Sequence, residues 1–290
     1  MASAMPTIRP PDPAPRRPRF VLPAGSCDCH SHVFGPAARF PYAPARSYTP
    51  PDCPTDAYIH MLNTIGCERA VIVQPSCYGT DNAATLDALR SGRFAFRGVA
   101  VISGDESEAQ LASMHDAGVR GVRLNLHTRG AVLGLSDAQR LAARVRPLGW
   151  HLQIYADLST LPDLKGLLSE VGGTVVIDHM GQPDIAQGTD TPAFRSLLAA
   201  LAEGRCWVKL SGAYRLSQNH PSYAEVTPFA RALVAANPEQ LVWGSDWPHP
   251  NFDGPMPNDA DLIDLLAEWI PDAAVRHGVL VDNPARLYDF

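Results

Sequence analysis

The sequence of 290 residues lacks both an excess of basic residues and any long apolar run, and these absences narrow the range of functions. Lysine and arginine total 24 against 30 aspartate and glutamate residues, which gives a formal net charge of −6. Binding to nucleic acid or to an anionic membrane surface requires a basic face, and a membrane-spanning helix requires about 20 apolar residues in succession. The sequence therefore predicts neither nucleic acid nor membrane as a partner.

A cysteine framework and a secretory signal are also lacking. The six cysteines show no disulfide spacing, so we expect reduced thiols in a cytoplasmic protein. Residues 1–24 are rich in proline but contain no apolar segment of the signal-peptide type. We expect them to form an extended arm that lies on the folded domain or on a neighbouring subunit. The protein itself is expected to be a monomer or a small homo-oligomer.

Short β-branched segments alternate with amphipathic stretches along the rest of the chain. Eight strands are predicted, at 26–30, 69–74, 97–102, 119–125, 150–155, 174–179, 206–211 and 241–246. Helices that end near a glycine are predicted at 55–66, 136–149 and 191–204. This spacing is typical of strand–helix repeats, so residues 25–290 are predicted to form a single (β/α)8 TIM barrel. A doubly wound open sheet is the rival fold, but the sequence has no GxGxxG or Walker loop.

The stretch "CDCHSHVFG", from Cys27 to Gly35, combines cysteines and histidines in a way that could indicate a metal clasp. Side chains alternate along a strand, so Asp28, His30 and His32 are predicted to share one face and the two cysteines the other. A zinc finger would also need a second ligand pair at a matching spacing, and none follows. We therefore expect buried thiols and a functional histidine pair.

Polar side chains recur at the predicted strand ends, which is where (β/α)8 enzymes place their chemistry. Seven of the eight ends carry such groups, among them His30 and His32, Ser76, Arg123 with Arg129 beyond it, Tyr155, His179, Arg215 and Asp246. The Pro-rich insert 37–54 after the first strand is expected to lie over this face.

Expectations also follow for four further residues. Asp178 and Lys209 are expected to support the site rather than to react. Trp247 is expected to line the site, and His151 is expected at the surface.

Three motifs taken together resemble the amidohydrolase superfamily. They are the HxH pair at the first strand, "IDHMG" at the sixth and "GSDWPHPN" at the eighth. The resemblance extends from Gly25 to Tyr288. Within the superfamily, "QPSCYGTDNAATLDAL" and "DWPHPN" are similar to the 2-pyrone-4,6-dicarboxylate lactonase branch.

The resemblance implies roles for individual residues. It places the reacting centre at His30, His32, His179 and Asp246. It also implies substrate contacts from Ser76, Arg123, Arg129, Tyr155 and Arg215, with Tyr48 of the first loop as an additional contact.

The resemblance also bears on cofactors. Metal-dependent superfamily members carry a lysine or glutamate at the fourth strand and a histidine at the fifth, where this sequence has Arg123 and Tyr155. A cation in place of a bridging carboxylate opposes a two-metal centre, and the resemblance implies that no metal is required. A single divalent ion such as zinc, held by His30, His32 and Asp246, remains an alternative.

Three arginines near one barrel mouth of an acidic chain indicate a small substrate with more than one carboxylate. The hypothesis is lactone hydrolysis in aromatic catabolism, with 2-pyrone-4,6-dicarboxylate opened to an oxalomesaconate-type acid. Asp246 would take a proton from water, and His30, His32 and His179 would donate hydrogen bonds to the carbonyl oxygen. Alternatives are hydrolysis of a sulfomuconolactone or sugar-acid lactone, a metal-dependent decarboxylase of the same superfamily, and a non-catalytic anion-binding barrel.

Overall fold

The computed structural model describes residues 6–127, 134–161 and 163–290, and these ranges contain a parallel eight-stranded barrel. The strands pair in chain order and are β1 (Cys27–Ser31), β2 (Arg69–Val73), β3 (Ala95–Ala100), β4 (Val119–Asn125), β5 (His151–Tyr155), β6 (Val175–Ile177), β7 (Trp207–Leu210) and β8 (Leu241–Trp243). Each strand overlaps its predicted segment, and the predicted (β/α)8 fold is confirmed.

Helices connect successive strands and surround the barrel. Those in the described ranges are α1 (Thr55–Ile65), α2 (Ala83–Arg90), α3 (Glu108–Asp116), α4 (Ala138–Val145), α5 (Leu164–Val171), α6 (Pro192–Ala202), α7 (Ala213–Leu216), α8 (Thr227–Ala236), α9 (Asp259–Trp269), α10 (Ala273–His277) and α11 (Asn283–Tyr288). Their ends follow local sequence. The Thr191 hydroxyl accepts a hydrogen bond from the Phe194 amide at the start of α6, and Gly66 takes the left-handed conformation, with φ of 91°, after α1. No helix within the described ranges is long and apolar enough to cross a membrane.

Backbone hydrogen bonds beyond β8 bring the two ends of the sheet together. The Asp246 amide donates to the His30 carbonyl and the His32 amide donates to the Trp247 carbonyl, each at 2.7 Å. The segment that carries the histidine pair is therefore fixed directly against the segment that carries Asp246.

One apolar cluster fills the barrel interior and is called here the inner apolar layer. It consists of Cys27, Cys29, Val71, Val73, Val99, Val176, Trp207, Val242 and Tyr288. Because eight of these residues come from β1, β2, β3, β6, β7 and β8, they can meet only inside the barrel, and Tyr288 joins them from α11. A second, larger cluster includes the residues that alternate with them, such as Ala70 and Val208, and fills the space between strands and helices.

The predicted alternation along β1 is wrong at Asp28. Its carboxylate accepts hydrogen bonds from the Tyr58 hydroxyl of α1, at 2.9 Å, and from Ser245, so it points towards the helices. The register between β1 and β2 shifts between Asp28 and Ser31. Cys27 and Cys29, which flank Asp28, point inward. A bulge of this kind re-aims the side chains within and after it, so His30 points inward as well. All six cysteines of the chain are buried and free.

The described part of the N-terminal arm, 6–24, lies against α9. The Arg19 amide and Nε donate to the two carboxylate oxygens of Asp264, at 2.7 and 3.0 Å. Arg16 forms an ion pair with Asp261 one turn earlier. The arm thus contacts the outer helix layer by charge pairing.

Candidate active site

The C-terminal ends of the strands surround a cleft. It is lined by His32, Tyr48, Pro75, Ser76, Arg123, Asn125, Tyr155, His179, Arg215, Asp246, Pro250 and Asn251. Eight of the ten predicted site residues are in this lining. The ninth, His30, adjoins it through Asp246, and Arg129 lies outside the described residues.

Asp246 follows β8 in a strained backbone conformation. Its φ is +64°, a region that residues other than glycine rarely occupy, and such strain typically costs about 1–3 kcal/mol. The turn is held by the Asp246 amide on the His30 carbonyl and by the His249 amide on the Asp246 carbonyl, both at 2.7 Å. Strain of this kind at a cleft is characteristic of functional positions.

The two carboxylate oxygens of Asp246 have different environments. Oδ2 accepts hydrogen bonds from the Tyr214 hydroxyl and from Arg215 Nε, both at 2.6 Å. Oδ1 has no hydrogen bond among the described residues and lies 3.4 Å from His32 Nε2. Burial tends to raise the pKa of Asp246, but Arg215 and His179 hold it well below its ordinary value. The carboxylate is therefore ionised, with Oδ2 fixed by two hydrogen bonds and Oδ1 without a hydrogen bond among the described residues.

His32 is fixed with its Nε2 lone pair towards Asp246. Its Nδ1 lies 2.8 Å from the Val73 carbonyl oxygen, which can only accept, so Nδ1 carries the proton. Burial lowers the pKa of His32 and favours the neutral ring, whose single proton is then already used. His32 Nε2 is consequently an acceptor.

His179 and His30 are equally buried but have different partners. His179 Nδ1 lies 2.8 Å from the Ser211 hydroxyl, which can donate or accept, and burial lowers the pKa of His179 to about 4. His30 Nδ1 lies 3.2 Å from both Lys209 Nζ and Asp178 Oδ1, and burial holds the pKa of His30 well below its ordinary value. Both rings are therefore neutral near pH 7.

The two described arginines of the site are held by other protein groups. Arg123 Nε lies 3.3 Å from Asp178 Oδ2, and its guanidinium lies over the Tyr155 ring at 5.2 Å. Arg215 donates from Nη2 to the Pro250 carbonyl at 2.9 Å, besides its contact with Asp246. Both cations are therefore positioned at the cleft before any ligand enters.

Comparison with known proteins identifies the family. Residues 27–290 match the family model described as amidohydrolase. The chain belongs to the amidohydrolase family. A 2-pyrone-4,6-dicarboxylate hydrolase from Comamonas testosteroni is 42% identical to it over 284 residues, which cover 94% of this chain and 93% of that protein.

Two further proteins extend the comparison of this amidohydrolase. A 4-sulfomuconolactone hydrolase from Hydrogenophaga intermedia is 39% identical and covers 93% of this chain and 90% of its own. A solved structure from Acinetobacter baumannii, described as a "probable 2-pyrone-4,6-dicarboxylic acid hydrolase" with citric acid bound, superposes with a TM-score of 0.79 at 28% identity. It covers 92% of this chain and 100% of that one.

The amidohydrolase has side chains that could hold one metal ion. His30, His32 and Asp246 each offer a ligand atom, and these atoms lie within 4.8 Å of one another. Two of them, His30 Nε2 and Asp246 Oδ1, are buried without a hydrogen bond in the described part of the chain. Two imidazole nitrogens and a carboxylate oxygen fit a catalytic zinc site. Asp178 and His179 form a second such group with His30.

The residues at the site to which the sequence assigned no role include Tyr214 and Asn251. Tyr214 binds the same oxygen of Asp246 as Arg215, its neighbour after β7. Asn251 lines the cleft, and its place at the end of the "DWPHPN" motif was the signal available for it.

Two expectations from the sequence, for Trp247 and His151, are wrong. The Trp247 ring stacks on Tyr58 of α1, with 5.1 Å between centroids, and does not line the cleft. His151 is 1% exposed, and its ring packs edge-on against Tyr288 rather than at the surface.

Proposed function

We propose that this amidohydrolase hydrolyses the ester bond of a small dianionic lactone in aromatic catabolism, most simply 2-pyrone-4,6-dicarboxylate. The observation that carries the proposal is the asymmetry of Asp246. Tyr214 and Arg215 hold one carboxylate oxygen, and the other faces the histidines and the cleft. A fixed carboxylate with one open oxygen can accept a proton from a water molecule and direct its attack.

The reaction follows from this arrangement. Water oxygen bonds to the lactone carbonyl carbon while its proton passes to Asp246 Oδ1. The ring C–O bond then breaks, and the ring oxygen leaves as an enolate that takes the proton back from Asp246, while the second water proton is lost to solvent when the new carboxyl group ionises. The product carries one carboxylate more than the substrate.

The histidines have separate tasks in this proposal. His179 and His30 donate to the carbonyl oxygen, where negative charge develops. His32 accepts a hydrogen bond from the attacking water, because its own proton is used on the Val73 carbonyl. This departs from the hypothesis in which all three histidines donate.

The charge of the cleft supports a dianionic substrate. Arg123 and Arg215 lie at its wall, and guanidinium groups bind carboxylates in a defined orientation. Ser76, Tyr155 and Tyr48 supply hydroxyl groups around the same space, and we assign Arg129 a further carboxylate contact. The name of the Comamonas relative and the citric acid of the Acinetobacter structure support an anion with several carboxylates.

We propose that hydrolysis requires no metal, although the site can accommodate one. Zinc held by His30, His32 and Asp246 would polarise the carbonyl and lower the pKa of a bound water. Without zinc, Asp246 can still act as the base, and His30 and His179 can still donate hydrogen bonds to the lactone carbonyl oxygen. The free thiols fit a reducing compartment, and we place the enzyme in the cytoplasm.

The test is the loss of the pyrone absorbance of 2-pyrone-4,6-dicarboxylate with purified protein, before and after treatment with a chelator. We expect turnover in both samples. Parallel assays with 4-sulfomuconolactone and D-galactarolactone separate the related activities, since relatives of this chain carry those names. Hydrolysis of none of the three lactones would refute the proposal, and activity lost on chelation and restored by zinc would refute its metal-free form.

A further inference from the structure

Lys209 is a fully buried lysine behind the histidines, and the reaction described above does not use it. It lies on β7, and its Nζ reaches across the barrel interior. Nζ is 2.9 Å from the Cys29 carbonyl oxygen, 2.7 Å from Gln153 Oε1 and 3.2 Å from His30 Nδ1. A buried cation in contact with a reacting imidazole must influence where that ring holds its proton.

Counting donors fixes the direction of the contact between Lys209 and His30. An ammonium group carries three hydrogens and cannot accept. The Cys29 carbonyl takes one hydrogen and Gln153 Oε1 takes another, since Gln153 Nε2 is oriented by donating to Asp178 at 3.0 Å. The third hydrogen points to His30 Nδ1, which therefore accepts it.

Asp178 is the competing partner of the same ring nitrogen. Its Oδ1 lies 3.2 Å from His30 Nδ1 and 3.5 Å from Lys209 Nζ. Within the described ranges, this oxygen nevertheless has no contact with hydrogen-bond geometry. The geometry thus favours donation from Lys209 to His30 over donation from His30 to Asp178.

We propose that Lys209 is a positioning residue that keeps the single proton of neutral His30 on Nε2. His30 and His32 then have opposite tautomers, because His32 holds its proton on Nδ1 against the Val73 carbonyl. His30 can donate to a substrate oxygen, whereas His32 can accept from water. The donor task of His30 rests on the proposed lactone hydrolysis, but the tautomer itself does not.

The proton on His30 Nε2 also opposes the binding of zinc by this residue. A histidine binds a metal through a nitrogen lone pair, and a carboxylate that accepts from the other ring nitrogen usually keeps that lone pair available. Asp178 stands where such a carboxylate is needed. Without Lys209, His30 would donate from Nδ1 to Asp178, and its Nε2 would join His32 and Asp246 as a ligand.

The first test measures imidazole nitrogen chemical shifts by NMR in metal-free, ¹⁵N-histidine-labelled protein. The resonances of the two rings are assigned by their loss in His30→Asn and His32→Asn variants. We expect the Nε2–H tautomer for His30 and the Nδ1–H tautomer for His32. The Nδ1–H tautomer at both residues would overturn the proposal, and this result needs no variant of Lys209.

The second test titrates zinc into Lys209→Met by calorimetry. We expect the His30 proton to move to Nδ1 and zinc affinity to rise about 10- to 100-fold, the size of effect that partners of metal ligands usually have. Structural damage alone would weaken zinc binding rather than strengthen it. Gln153→Met is the matched control, because it removes another buried partner of Lys209 but leaves the contact with His30.

The outcomes separate this proposal from the proposed function. In Gln153→Met we expect the His30 tautomer and zinc affinity of the unchanged protein. Tight stoichiometric zinc in the unchanged protein, or no gain in affinity in a folded Lys209→Met, would overturn the role of Lys209. If no lactone is hydrolysed but the two tautomers differ as expected, the proposed substrate fails and the assignment of Lys209 stands.

Discussion

The barrel interior has two layers of opposite chemistry. The inner apolar layer contains the valines of four strands together with Tyr288. Towards the C-terminal ends lies a polar layer, which consists of His30, Arg123, Gln153, Asp178, Lys209 and Asp246. A step of two residues separates the layers on two strands: Val176 is followed by Asp178, and Trp207 by Lys209.

The difference shows that one layer of the barrel interior contributes mainly to stability and the other to catalysis. Apolar burial in the inner apolar layer stabilises the barrel, whereas buried charges are costly unless they are paired and hydrogen bonded. The contacts of Asp178 Oδ2 with Arg123 and Gln153 meet that requirement for this oxygen. Mutations in the inner apolar layer should therefore lower the free energy of unfolding, and mutations in the polar layer should lower kcat.

The largest effect is expected for Asp246→Asn in the polar layer. The amide retains an oxygen for Tyr214 and Arg215 but cannot take a proton from water. General-base catalysis contributes about 10²- to 10⁴-fold, so we expect kcat to fall about 10³-fold or more while the affinity for product stays within a few-fold. Steady-state kinetics and product titration measure the two quantities.

Asp264→Asn is the matched control for Asp246→Asn. Asp264 is also a buried aspartate that accepts from an arginine, but it lies on α9 beneath the N-terminal arm. Its replacement should lower stability slightly and leave kcat unchanged. An Asp246→Asn enzyme with a tenth or more of the original kcat would contradict the base role.

The fold was predictable because the sequence repeats one pattern. Every strand except β1 contains β-branched residues in a short segment, and glycine and N-cap signals mark helix ends, as Gly66 and Thr191 show. The failure at Asp28 has a physical reason. Simple alternation assumes a regular strand, and the register shift in β1 depends on pairing with β2, which the local pattern does not encode.

The site was predictable in its composition but not in its contacts. Parallel strands carry their end residues to one mouth, so the polar strand ends indicated which side chains would meet. The hydrogen-bond partner of each side chain depends on the direction of that side chain in the folded structure, which the sequence pattern does not give. Tyr214 on Asp246 and Lys209 on His30 are contacts between different strand ends, and the burial of His151 follows from its inward direction in β5.

Tyr288→Ala tests the inner apolar layer and should be the next largest effect. Removal of a large buried ring leaves a cavity and typically costs about 3–5 kcal/mol, so we expect a loss of about 3 kcal/mol in the free energy of unfolding with kcat per folded molecule unchanged. Urea denaturation measures the loss. Tyr288→Phe is the control, since its hydroxyl has no hydrogen bond among the described residues. A large loss of kcat in Tyr288→Ala would contradict the inference that the inner apolar layer contributes to stability and not to catalysis.

Gly244→Ala should disturb the polar layer with less effect. A Cβ at Gly244 would lie 2.6 Å from His30 Cβ and 2.8 Å from the His30 amide nitrogen, so the His30 backbone must move. Since a displacement of about 1 Å at a reacting group can cost about 10²-fold, we expect kcat to fall about 10- to 100-fold. Gly278→Ala is the control, because no atom lies within 4 Å of its Cβ position. Unchanged kcat in Gly244→Ala would show that His30 needs no exact placement.

The smallest effect concerns the pH dependence of stability. Burial lowers the pKa of His179 to about 4 and that of His151 to about 3, from an ordinary 6.5. Between pH 6.5 and 4 the unfolded chain therefore binds protons that the folded chain does not, and stability falls on acidification. Burial raises the pKa of Asp28 from 3.8 to about 6, which has the opposite sign, because the folded state then takes up a proton as the pH falls.

Burial also lowers the pKa of His30 and His32, so four histidines against one aspartate leave a net loss of stability below pH 6. Each unmatched proton changes the free energy of unfolding by about 1.4 kcal/mol per pH unit, so we expect a decrease of more than about 1 kcal/mol per unit between pH 6 and 4.5 in urea denaturation. His151→Leu removes one of the four histidines and should make this slope smaller by about 1 kcal/mol per unit, with kcat little changed. A slope that stays the same in His151→Leu would mean that His151, which packs against Tyr288 of the inner apolar layer, does not resist protonation, and the other buried histidines would then account for the acid sensitivity.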